Sequence, residues 1–132
     1  MPVLAEIALE PGVVRYTVED RPTVEEITTT LAEVYSKPEY SIGMGSVWDF
    51  RATTISDLSV DKAQEVLRWV VQLIESRGLG RVAIVVSSDV DHVFASMFNG
   101  RVDGIPIERR VFRNIDEAVQ WASRPYWDES EA

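Results

Sequence analysis

Residues 81–87 read Arg-Val-Ala-Ile-Val-Val-Ser. From Val82 to Val86 there is no polar position, and every residue but Ala83 is β-branched. A strand with one wet face alternates apolar and polar, whereas an unbroken apolar run predicts burial on both faces, the pattern of a central parallel strand. Just upstream lie Gly78 and Gly80, which end a helix predicted over about 60–77. Its apolar stripe is Ala63, Val66, Leu67, Val70, Val71 and Ile74. Downstream, residues 89–99 carry Val90, Val93, Phe94, Met97 and Phe98 at helical spacing, and Asn99-Gly100 ends that pattern. A turn at Gly104–Pro106 leads into a strand over 107–113. Asn114 with Glu117 is an Asn-x-x-Glu capping box for a last helix, with Ala118, Val119, Trp121 and Ala122 on its apolar side.

The N-terminal half extends the same alternation. Residues 45–51 hold Val47, Trp48 and Phe50 and read as a strand, and the polar stretch 52–59 reads as a loop. Thr23 and Glu26 form a capping box, and Val24, Ile27, Leu31 and Val34 recur at three and four, which predicts a helix stopping before Pro38. Residues 4–9 and 13–18 flank Pro11-Gly12, a turn signal, and read as an antiparallel hairpin. The order β β α β α β α β α predicts an α/β fold: a mixed, mainly parallel sheet of about five strands, with an N-terminal antiparallel hairpin and about four helices joined by right-handed crossovers. The expected organisation is one domain over 1–123 and an acidic C-terminal tail over 124–132, where Asp128, Glu129 and Glu131 cluster.

Three pieces of the chain resemble the STAS-like family of small bacterial domains, the SpoIIAA-like proteins. They are Val47-Trp48-Asp49-Phe50-Arg51, Arg81-Val82-Ala83-Ile84-Val85, and the run from Arg110 to Trp121 that joins a strand, a cap and an aromatic-ended helix. With the element order, the likeness covers about residues 4–122. The resemblance implies a sheet with helices wound mainly on one side as a right-handed superhelix, and a non-catalytic regulatory or protein-interaction role. It also implies an alternative, since related folds of the CRAL-TRIO type hold apolar or lipid-like ligands. Antagonists of the family carry an Asp-Ser-Ser-Gly signature at the start of the helix after the third strand. Here residues 55–62 read Ile-Ser-Asp-Leu-Ser-Val-Asp-Lys, so no phosphoserine carries over to a particular residue.

Composition bounds the chemistry. The 132-residue chain has no cysteine, which excludes disulfides, thiolate metal sites and redox motifs. His92 is the single histidine, and no metal or catalytic spacing surrounds it. Gly43-Met44-Gly45 precedes a strand, whereas a phosphate cradle follows one, so it reads as a turn. No nucleophile elbow is present, and no enzyme activity, cofactor or metal is expected. The net charge is −9, with 12 acids against 5 bases in residues 1–66. That balance opposes binding to nucleic acid and to anionic membranes. Arg101, Arg109, Arg110 and Arg113 are the basic neighbourhood, diluted by Asp103 and Glu108. The longest apolar run is too short to span a bilayer, and the start has no signal-peptide pattern, so the expected location is cytoplasmic.

Three candidate sites remain. Thr53, Thr54, Ser56 and Ser59 precede a helix and read as N-caps or as a phospho-acceptor or anion-binding loop. Asp49 and Arg51 stand at a strand end, where sites gather in parallel sheets. Trp48, Phe94, Met97 and Phe98 are the residues for an apolar pocket between the sheet and the helix at 89–99. The partners these readings allow are a protein, a small apolar ligand or a second copy of the chain.

Overall fold

The computed structural model describes residues 3–53, 60–89 and 107–125. In these residues the order is β1 (Val3–Ala8), β2 (Val13–Val18), α1 (Val24–Tyr35), β3 (Gly45–Asp49), α2 (Val60–Gln72), α3 (Ile74–Arg77), β4 (Val82–Val85), β5 (Arg109–Phe112) and α4 (Ile115–Ala122). The strands form one sheet in chain order, β1-β2-β3-β4-β5. β1 and β2 are antiparallel, and the pairs β2–β3, β3–β4 and β4–β5 are parallel. The expected helix over 89–99 lies outside the described residues.

Local chemistry sets the element ends. At the start of α1 the Thr23 hydroxyl accepts from the Glu26 amide at 3.1 Å, and the Glu26 carboxylate accepts from the Thr23 amide at 2.9 Å, the predicted reciprocal cap. At α4 only one arm of the expected box is made: Asn114 accepts from the Glu117 amide at 3.0 Å. The single helix predicted over 60–77 breaks at Leu73 into α2 and a short α3. Gly78 then ends α3 with φ of +80°, where a side chain would also run into the backbone of Gly43. Gly45 opens β3 directly under the carbonyl of Ala122, an approach only a glycine permits.

The pleat divides the core into two layers. On one face Val14, Tyr16, Ile27, Leu31, Val34, Val70 and Ile107 gather under α1 and α2. On the other face Val13, Val47, Ala83 and Val85 meet Ala118, Trp121 and Ala122 of α4. Helices α1, α2 and α3 therefore serve one face and α4 the other. β4 is parallel and internal, as its sequence predicts, and the expected burial on both faces holds fully on one face and in part on the other. Ala83 and Val85 are fully buried against α4, while Val82 and Ile84 are half-buried. Val82 and Ile84 pack against core neighbours on one side and line a cavity on the other, whereas Val86 on the same face is fully buried.

A cavity with buried arginines as the candidate functional site

The alternation of β3 sends Gly45, Val47 and Asp49 to the α4 face and Ser46, Trp48 and Phe50 to the other. Trp48 stacks on Tyr16 of β2, its neighbour in register, with ring centroids 4.2 Å apart. Across this floor α1 contributes Ile27, Leu31 and Tyr35, and α2 contributes Ala63, Val66, Leu67 and Val70. Together with Val82, Ile84 and Ile107 these residues line a half-open cavity of about 110 Å³. A cavity of about 150 Å³ with an apolar lining stays dry and holds a benzene-sized molecule, which sets the scale of what fits.

Two arginines enter this apolar wall. Arg77, only 3% exposed, donates to the carbonyls of Gly78 and Gly80 at 2.8 and 2.9 Å. Arg109, equally buried, donates to the Ile107 carbonyl at 3.4 Å and has further partners. Ser46 is 7% exposed, and its hydroxyl makes no hydrogen bond among the described residues. Burial raises the pKa of Tyr35, opposed by the nearby Arg77 charge. Tyr40 caps the Arg77 carbonyl with its hydroxyl at 2.7 Å, and burial pushes its pKa up to about 12 against the opposing charge of Arg77. Both phenols therefore stay protonated and neutral at ordinary pH.

Of the apolar pocket expected from sequence, Trp48 does line the cavity, while Phe94, Met97 and Phe98 lie outside the described residues. The described walls come from α1 and α2. Asp49 and Arg51 sit on the opposite face and close on each other. Arg51 Nε donates to Asp49 Oδ1 at 2.9 Å, Nη2 to Oδ2 at 2.8 Å, and the Arg51 amide to Oδ1 at 3.0 Å. Burial raises the Asp49 pKa, but the Arg51 hydrogen bonds and charge outweigh it and hold it below the usual value. The pair thus satisfies itself and closes the end of β3. Thr53 donates its hydroxyl to the Asp20 carbonyl at 2.6 Å, a loop clasp. Thr54, Ser56 and Ser59 lie outside the described residues, as do His92 and Arg101.

The remaining described arginines of the basic neighbourhood do not form one patch. Strand alternation puts Arg109 into the cavity wall and Arg110 on the other face, 5.1 Å from the Trp121 ring centre. Arg113 pairs with Asp89. Sequence reasoning missed Ser46 and Arg77, and it read Arg109 only as part of a basic neighbourhood. The period-two relation of Ser46 to Trp48 and Phe50 was the available signal for the serine. For Arg77 there was none, because an arginine in a last helical turn is ordinarily a solvated partner of the helix dipole.

The geometry defines a SpoIIAA-like fold with an apolar cavity between the sheet and helices α1 and α2. Among solved structures the chain is similar to an uncharacterized protein of the DUF3478 family from Shewanella loihica PV-4, whose crystal structure is described as having a SpoIIAA-like fold. The two share 16% identity over 91% of each chain, with a TM-score of 0.55, a likeness of fold. No family model and no curated protein matches the chain. Among the described residues no helix is long and apolar enough to cross a membrane.

Proposed function

We propose that this domain is a binding module for a small apolar ligand, held between the sheet and helices α1 and α2. The observation that carries the reading is the cavity of about 110 Å³ with Trp48, Phe50, Leu67 and Ile84 in its wall. Packed protein interiors leave few voids larger than a water molecule. An unfilled apolar space also forfeits the dispersion contacts of its lining, so an occupant of matching size gains them. Toluene is a suitable probe. Toluene at about fivefold over its Kd should raise the melting temperature by a few degrees, because a ligand bound only to the folded state stabilises by about 1 kcal/mol at that excess. Ala63→Phe, which fills the space from α2, should remove that increase. An unchanged melting temperature of the wild-type chain in toluene would sink the reading.

A second reading, a non-catalytic regulatory module acting through a protein partner, is favoured by a separate observation. Leu9 and Ile42, 68% and 70% exposed, flank one depression at the end of the sheet where β3 begins. Large exposed apolar side chains grouped around a concavity are a feature of interaction surfaces. Leu9→Lys with Ile42→Lys should abolish a partner complex without lowering the melting temperature. A complex that survives the double change would place the partner elsewhere.

A further inference from the structure

We infer that Tyr126 and Trp127, the two residues that follow Pro125, dock into the depression between Leu9 and Ile42, so that the chain supplies its own occupant for that surface. The inference goes beyond the partner reading above and needs no partner: a protein that uses this surface has first to displace the two rings.

The argument begins with where the chain leaves the fold. α4 ends at Ala122, and the amides of Ser123 and Arg124 still bond back to the carbonyls of Val119 and Trp121. Pro125 cannot continue the helix, because it has no amide hydrogen and its ring fixes φ. The path is therefore set up to this point, and Arg124 and Pro125 both line a depression of about 580 Å³. Leu9, Ile42, Met44 and Leu79 line the same space. Tyr126 and Trp127 lie outside the described residues, but an extended residue spans about 3.3–3.6 Å, so both start within reach of these side chains.

The second observation is the surface itself. Leu9 and Ile42 are more exposed than any other large apolar side chain among the described residues. Covering them removes apolar area from water. Four of the described lining residues are glycine, and a floor without side chains lets flat rings lie against the backbone. The third consideration is the sequence that arrives there. Residues 126–132 read Tyr-Trp-Asp-Glu-Ser-Glu-Ala, with the aromatics first and the carboxylates behind. Tyrosine and tryptophan each bury a large apolar body while keeping a polar tip for water or backbone. The described lining holds one charged residue, Arg124, and no carboxylate, so the acidic run meets no like charge in it. Docking of this kind is a local equilibrium at the low end of the stabilities within a domain, and it opens without melting the sheet.

The test is fluorine NMR of the full chain labelled with 5-fluorotryptophan, which gives signals for Trp48, Trp69, Trp121 and Trp127. Trp127→Phe identifies the last of these. Its shift between water and deuterium oxide should be well below that of a free tryptophan peptide, because docking shields the ring. Leu9→Lys with Ile42→Lys should raise it to the free value and leave the other three signals in place, which also shows that the variant is folded. In reverse, Trp127→Ser should move the amide signals of Leu9, Gly12 and Ile42 and spare those of Asp49 and Arg51 at the far end of β3. Should the lysine variant fail to fold, this reverse experiment decides, and unmoved amides at Leu9 and Ile42 overturn the inference. A Trp127 signal at the free value in the wild-type chain overturns it directly. So does a shielded signal that ignores the Leu9 and Ile42 changes, which places the rings elsewhere. Shielding that is lost on dilution overturns it as well, since the rings then sit on a second copy. None of these outcomes touches the partner reading, which the partner complex itself tests.

Discussion

Asp49 and Arg51 form a two-point ion pair whose carboxylate is buried and whose guanidinium reaches solvent. The planar match of the two groups, with the Arg51 amide bonded to the same carboxylate, makes it worth more than a loose surface pair. Its folded pKa lies below the ordinary value. The stabilisation is therefore complete above the unfolded pKa of about 3.9 and is lost as pH falls through the lower folded value. Asp49→Asn should cost about 0.5–1.5 kcal/mol near neutral pH. In urea melts the gap to wild type should narrow as the pH falls below the unfolded value and the carboxylate becomes protonated in the folded state too. A gap that persists at low pH would mean the side chain acts by packing alone. This pair was legible as two residue types at a strand end. The buried guanidinium of Arg77 was not, because nothing in local spacing separates an arginine folded back over a Gly-x-Gly turn from one in water.

Among the elements, the capping box of α1, the β1–β2 hairpin and the parallel strands were readable because each is set by neighbours in sequence. The break at Leu73 was not, since the apolar stripe runs through it from Val70 to Ile74. Nor was the asymmetry of β4. Its unbroken apolar run states that neither face is wet, but it does not say whether a face meets packed side chains or a void. The two faces should answer differently to the same charge. Val85→Asp sets a carboxylate among Ala83, Ala118 and Trp121 and should unfold the domain, a loss on the scale of its whole stability of about 5–15 kcal/mol. Ile84→Asp points a carboxylate toward the cavity whose wall holds Arg77 and Arg109. It should leave a folded protein weakened by about 2–4 kcal/mol. Circular dichroism melts of the two variants decide the order. Equal losses would show both faces of β4 to be equally packed.

At the scale of the whole molecule, one sheet separates two cores that do not touch across it except through the strands themselves. Ile27 and Leu31 belong to the first, and Val47, Val85 and Trp121 to the second. The cavity is a property of this level: it depends on how far α1 and α2 stand off the sheet, which no periodicity along a single element encodes. The shared sheet also predicts how the halves depend on each other. β3 sends Trp48 to one core and Val47 to the other, so neither core can open without losing strands the other needs. Unfolding should be a single transition by tryptophan fluorescence and by far-ultraviolet circular dichroism, as expected of a domain this small. Ile27→Val should cost about 0.5–1.5 kcal/mol. Val47→Ala on the opposite face should cost more, because it removes two methyl groups from a fully buried side chain where Ile27→Val removes one. Residues on opposite faces share no side-chain partner, so the double variant should show the sum of the two losses to within about 0.5 kcal/mol. The check is urea unfolding of both single variants and the double, with the denaturant slope held in common. Two separated transitions, or a double variant far from the sum, would mean that the two faces are coupled through something other than the sheet.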